Sequence, residues 1–164
     1  LRYLGLQQDI LQRGIPEQHL VAELTVPAYV YDMRAGRLLA NAPITSWPVT
    51  VSRGRPALFA LLPYRVTAVE AKAPATAVLG ATFSVETTVR VGPGKPQFHV
   101  VHLSVYAPGS NQAHRQYSQN VACFDGQGRA TIPFALNDPT GTWRLEFRDA
   151  ASNVRTTATV TVRR

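Results

Sequence analysis

Runs in which every second residue is apolar dominate the chain from His19 onward, and they are separated by Pro, Gly, Asn and Asp. Such alternation gives a strand one buried and one solvated face. In Trp143-Arg144-Leu145-Glu146-Phe147-Arg148 it is cleanest: Trp143, Leu145 and Phe147 are expected on the core side, with Arg144, Glu146 and Arg148 in solvent. A slip of one register would bury three charges. The last run repeats the pattern, with Val160 and Val162 inward and Thr159, Thr161 and Arg163 outward.

The same reading places earlier strands at His19–Val26, before Pro27, and in a Tyr29–Met33 / Arg37–Ala40 hairpin closed through Arg34-Ala35-Gly36. Further strands are expected at Trp47–Val51, Ala57–Leu62 and Tyr64–Ala71. Ala57–Leu62 is apolar throughout and is expected at the centre of a packed sheet. Beyond it, strands are predicted at Thr82–Val91, Gln97–Tyr106, Tyr117–Phe124, Arg129–Phe134, Thr142–Asp149 and Arg155–Arg163, with turn residues between them. Only the start differs. Leu1, Leu4, Gln8 and Leu11 share a helical face, with Ile10 beside them, so residues 1–17 are expected to be a helical lead-in or the tail of an upstream domain. The Ala-rich stretch Ala71–Ala77, with Pro74 and Gly80 nearby, reads as a seam. The organisation expected is a small β module over 18–70 and an immunoglobulin-like antiparallel sandwich over 71–164, all-β apart from the short N-terminal helix.

Composition changes this picture little. At 164 residues, 45% hydrophobic and 16% charged, the chain is long enough to bury cores and far from the composition of disorder. No apolar run approaches the roughly 20 residues that span a bilayer, so a soluble fragment is expected. The chain opens on Leu1 with no signal-like segment and reads as an excised piece of something longer. Its net charge of +7 comes mostly from arginines scattered from Arg2 to Arg164, not clustered on one element, which argues against nucleic acid as a partner.

Candidate chemistry is sparse. His99 and His102 lie three apart on a strand and point to opposite faces, and His19 and His114 lie elsewhere, so no metal site is expected. Cys123 has no partner for an internal disulfide and reads as a small core residue. The acids are scattered, and Asp125, Asp138 and Asp149 read as turn residues bonding their own backbone. Asn137 and Asp138 supply too few oxygens for calcium. Gly92-Pro93-Gly94-Lys95 is no phosphate cradle, because its proline removes a donor. No catalytic or cofactor-binding residue is assigned. If sugars bind, flat rings would do it, and the pool is Tyr29, Tyr31, Trp47, Tyr64, Tyr106 and Tyr117; at least half of these are expected in the core.

Residues 78–162, with "VYAPGSN" and "IPFALNDPTGTWRLEFRDAASNVRTTATVTV", resemble macroglobulin-like and related immunoglobulin-like sandwich domains, which act as spacers or interaction surfaces. "YVYDMRAGRLLA" and "RPALFALLPYRV" resemble the small β domain that trails the catalytic barrel of large bacterial glycoside-hydrolase-like proteins. The resemblance implies a non-catalytic structural or accessory region of such a multidomain protein, extracytoplasmic, without cofactors, whose parent could be a glycoside hydrolase. Its partners would be the upstream domain of the parent chain and either a polysaccharide or another protein. Two alternatives stand beside it: a carbohydrate-binding module, and a protein-interaction or adhesion module.

Overall fold

A computed structural model describes residues 1–9, 11, 14 and 16–164. Its elements are all strands: β1 (Arg2–Leu6), β2 (Gln18–Asp32), β3 (Arg37–Leu38), β4 (Ile44–Val51), β5 (Ala57–Leu62), β6 (Val66–Lys72), β7 (Thr76–Val78), β8 (Thr82–Val91), β9 (His99–Tyr106), β10 (Gln119–Cys123), β11 (Gln127–Pro133), β12 (Gly141–Asp149) and β13 (Arg155–Arg163). No helix among the described residues is long and apolar enough to cross a membrane. The contacts divide the chain into two units, Leu1–Arg65 with Ala151–Asn153, and Val66–Ala150 with Val154–Arg164. Val66–Glu70, grouped with the first module by its sequence, lies in β6, which pairs with β8 and belongs to the second unit.

In the first unit, β5 lies between β1 and β2, β3 extends the sheet, and β4 pairs separately with β2. The expected N-terminal helix is instead strand β1, antiparallel to β5 with Leu4 opposite Phe59 and Leu6 opposite Ala57. The reason is local. Gly5 would cost a helix about 1 kcal/mol, and a helix of this length is marginal alone. Leu4 and Leu6 meanwhile share a face at period two and pack against a core of Val30, Trp47, Val49, Val51 and Phe59. Ile10, Gln12 and Arg13 of that expected helix lie outside the described residues. Trp47 meets Phe59 edge-on with ring centroids 5.2 Å apart.

Two strands expected around Pro27 are one, β2, whose pairing with β4 shifts register between Glu23 and Ala28. Pro27, lacking an N–H, falls within that gap, so the ladder loses nothing at the proline. β5 is central in the sheet, as its apolar run implies, yet Leu58 is 39% exposed.

The second unit has a five-stranded sheet ordered β10-β9-β12-β13-β7 and a three-stranded sheet ordered β11-β8-β6. All its pairings are antiparallel except β7 with β13. The first strand thus splits, β6 joining one sheet and β7 the other across Pro74, an arrangement of immunoglobulin type. Between the sheets lie Phe83, Val85, Val89, Ile132 and Phe134 from one side and Val101, Leu103, Val105, Val121, Trp143, Leu145, Phe147, Val160 and Val162 from the other, all buried. The register anticipated for β12 and β13 is therefore the one adopted. At Gly128, where β11 passes β10, an added Cβ would come within 2.6 Å of the Cys123 sulfur and 2.8 Å of a Val121 methyl. Only glycine fits there.

Candidate functional site

The core of the second unit holds one polar constellation. His99 opens β9, Asp149 closes β12 and Cys123 closes β10 opposite His99. His99 Nδ1 lies 2.8 Å from an Asp149 carboxylate oxygen, and both side chains have no exposure. Cys123 is equally buried, and that burial pushes its thiol up to about 11. A thiol so held is protonated and unreactive near neutral pH. Cysteine, histidine and aspartate are gathered on the buried side of the sheet, out of contact with solvent. Asp149 is a correction to the reading of that residue as a turn acid. It continues the inward series Trp143, Leu145, Phe147 by two, so the alternation already carried the signal.

A second network ties down the loop before β12. The Tyr117 hydroxyl donates to Asp138 at 2.5 Å and accepts from the Ala135 N–H at 3.1 Å, while that N–H also reaches the same Asp138 oxygen at 2.8 Å. Burial, and next the bond to Asp138, raise the Tyr117 hydroxyl above the ordinary tyrosine range. The Trp143 indole donates to the Pro139 carbonyl at 3.0 Å. His114 stacks on Tyr117 with centroids 4.1 Å apart, and its Nδ1 is buried without a hydrogen-bond partner. Asp138 therefore sits in a latch.

In the first unit an open cleft of about 460 Å³ is lined by Glu17, Asp32, Arg34, Arg55 and neighbouring loop residues. Ser52 donates to Glu17 at 2.6 Å, and one Asp32 oxygen accepts from the Arg34 and Ala35 N–H groups at 3.0 and 2.9 Å. Both carboxylates serve the loops that hold them. His19 stands exposed within 3.3 Å of the Thr50 hydroxyl and 3.8 Å of Glu17.

The outer face of the five-stranded sheet is different, because its side chains point to solvent. The ladder registers align Asn120, His102, Arg148 and Arg155 in one row across β10, β9, β12 and β13, and Tyr106, Arg144 and Thr159 in another. His102 Nδ1 lies 2.8 Å from the Asn120 carbonyl oxygen. The Arg144 guanidinium lies 3.7 Å over the Tyr106 ring. Glu146, between the rows, takes Arg144 at 3.6 Å and Arg155 at 3.4 Å. Beyond the other end of the ladder, Phe98 and Phe124 form a tilted pair with centroids 5.3 Å apart, 44% and 71% exposed.

Of the aromatic pool named from sequence, Tyr31, Trp47, Tyr64 and Tyr117 are buried, Tyr29 and Tyr106 half-buried. The most open ring pair is made of phenylalanines, which that pool omitted. His99 faces the core and His102 the outer face, and no cluster of three metal-ligating side chains occurs among the described residues.

No protein-family model matches the chain. No curated protein matches it either. Among solved structures, a superoxide reductase (neelaredoxin) from Ignicoccus hospitalis is 13% identical, the match covering 60% of this chain and 82% of that one at a TM-score of 0.43. A chimeric titin Z1Z2-Z1Z2 tandem functionalised with a GRGDS peptide from fibronectin is 15% identical over 91% of this chain and 92% of that one, at a TM-score of 0.35. What the strands themselves establish is an all-β chain of antiparallel sheets, with a sandwich of immunoglobulin type in its second unit.

Proposed function

We propose that this chain is a non-catalytic accessory region of a larger extracytoplasmic bacterial protein that acts on carbohydrate. The observation that supports it most is the fate of the reactive side chains. His99, Asp149 and Cys123 converge, but in the core at zero exposure, where they build the sandwich. Acid–base or nucleophilic work needs the group within hydrogen-bond reach of a substrate. The cleft carboxylates Glu17 and Asp32 are likewise engaged, Glu17 by the Ser52 hydroxyl and Asp32 by the N–H groups of its own loop.

The test is a search for turnover by the purified chain against chromogenic glycosides and soluble polysaccharides, read as reducing ends. The expected result is no release above buffer. Release that disappears in Glu17→Gln or Asp32→Asn would make the chain an enzyme and end this reading.

A second reading, binding of carbohydrate without cleavage, is favoured by the Phe98–Phe124 pair. Two phenyl rings left this open in a folded domain are apolar surface that a flat apolar ligand face would remove from water.

A further inference from the structure

We infer that the outer face of the five-stranded sheet is a binding platform for an extended, acidic polysaccharide, with Phe98 and Phe124 as its stacking end and Arg148 as its carboxylate contact. This rests on the binding reading just given and names the ligand class and the residues.

The face has the length, the chemistry and the charge for such a chain. At about 3.3 Å per residue, the row containing His102 and Arg148 lies roughly 13 Å from Phe98 along β9, and Tyr106 about 26 Å from it. A polymer lying along the strands would pass the rings first, then the polar row, then the Tyr106–Arg144 pair. Phenyl faces suit the C–H face of a pyranose ring, and the side chains of Asn120, His102 and Arg148 offer donors to its hydroxyl or carboxylate groups. Neither a narrow slot nor a deep pocket is needed.

Charge selects the acidic class. Pointing outward from β12 and β13 are Arg144, Arg148, Arg155 and Arg163, against a single carboxylate, Glu146. Glu146 is shared by Arg144 and Arg155. Among the described residues Arg148 has no ion-pair partner, although it stands beside His102 in the middle of the row. A guanidinium in that position is a fork for a carboxylate, bidentate and planar. A neutral glucan would leave the excess of positive charge unanswered, and an acidic polymer answers it at every repeat. A protein partner would want a broad apolar centre; here the largest exposed apolar groups sit at one end.

The experiment is affinity electrophoresis of the chain in gels carrying polygalacturonate, with dextran gels in parallel, comparing wild type, Phe124→Ala, Arg148→Ala and Arg129→Ala. Arg129 lies on β11 in the other sheet, so its loss changes net charge equally without touching the platform. The expected result is retardation by polygalacturonate and not by dextran. Phe124→Ala should weaken it about tenfold, as for loss of one aromatic contact, and Arg148→Ala about fivefold. Arg129→Ala should stay within about twofold. Circular dichroism of each variant confirms folding, and both Phe124 and Arg148 are surface positions where truncation is tolerated.

The proposal is overturned by free migration through polygalacturonate, by equal retardation in dextran, or by retardation that all three variants share to the same degree, which is bulk charge. Dependence on a protein additive for any retardation would also overturn it, in favour of a protein partner. Loss of gel viscosity over time separates the two readings: it refutes the non-catalytic assignment, while retardation alone decides the platform.

Discussion

Asp149→Ala is the most informative perturbation of the sandwich, because it removes one partner from a pair that has no access to water. His99 Nδ1 addresses the Asp149 oxygen at 2.8 Å with both side chains at zero exposure. Removing the carboxylate leaves that ring nitrogen to find a new partner inside the core. An unsatisfied buried polar group costs about 1–3 kcal/mol, and an uncompensated buried charge about 3–5 kcal/mol. A loss of roughly 2–4 kcal/mol is therefore expected, a large part of the stability of a module this size. His99→Leu should cost a comparable amount by removing the ring that meets the Asp149 carboxylate at 2.8 Å in the core. In the double variant neither polar group waits for the other, so its loss should fall short of the sum of the singles by at least about 1 kcal/mol.

The assay is urea unfolding near neutral pH followed by the fluorescence of Trp143, in a Trp47→Phe background so that the second unit alone reports. Losses that add to within about 0.5 kcal/mol would show that the two side chains do not act together. A loss below about 1 kcal/mol for Asp149→Ala would show that the site relaxes to admit water. Either result refutes the account of the pair as a sealed polar joint.

Two further expectations follow from the same core. Burial lifts the Cys123 thiol from an ordinary 9.0 to about 11, so the folded chain keeps a proton that the unfolded chain releases. The associated stability is complete below about pH 9 and is lost as pH rises through about 11, roughly 2–3 kcal/mol in all. Cys123→Ala should flatten that part of the alkaline decline in urea midpoints, and a decline identical to wild type would contradict the assignment. At the loop latch, Asp138→Ala leaves the buried Tyr117 hydroxyl without its acceptor and the Ala135 N–H with only its 3.1 Å bond to that hydroxyl, whereas Tyr117→Phe leaves the N–H its 2.8 Å bond to Asp138. Asp138→Ala should therefore destabilise more, about 2 against about 1 kcal/mol, and unfolding free energies in the reverse order would refute the shared-acceptor geometry.

The strands were legible because a two-residue period survives wherever one face is buried and the other wet. Trp143 to Phe147 shows it without exception, and Asp149 obeys it too; the polarity of aspartate masked a core position that the spacing had marked. β1 was misread because Leu4 and Leu6 satisfy a strand, while Leu1, Leu4 and Gln8 satisfy a helix, and only the open edge of β5 decides between them. β7 was missed because Thr76–Val78 is three residues long and owes its state to β13, far along the chain. The exposed rings were hidden for a related reason. The stretch from Phe98 into β9 carries apolar residues on both faces, so period alone cannot tell Phe98 from Val101, and the pairing with Phe124 depends on the register of β10.

The split first strand of the second unit has a mechanical meaning. β7 runs parallel to β13, with Thr76 opposite Thr161 and Arg163 opposite Val78. Tension that enters this unit through β6 and leaves at Arg164 draws the start of β7 one way and the end of β13 the other. The hydrogen bonds between them lie across that pull and carry it together, as rivets in a lap joint do. Peeling one bond at a time, as when the open end of a hairpin is parted, is not available along this axis. A domain strung between others on one chain is loaded in this direction.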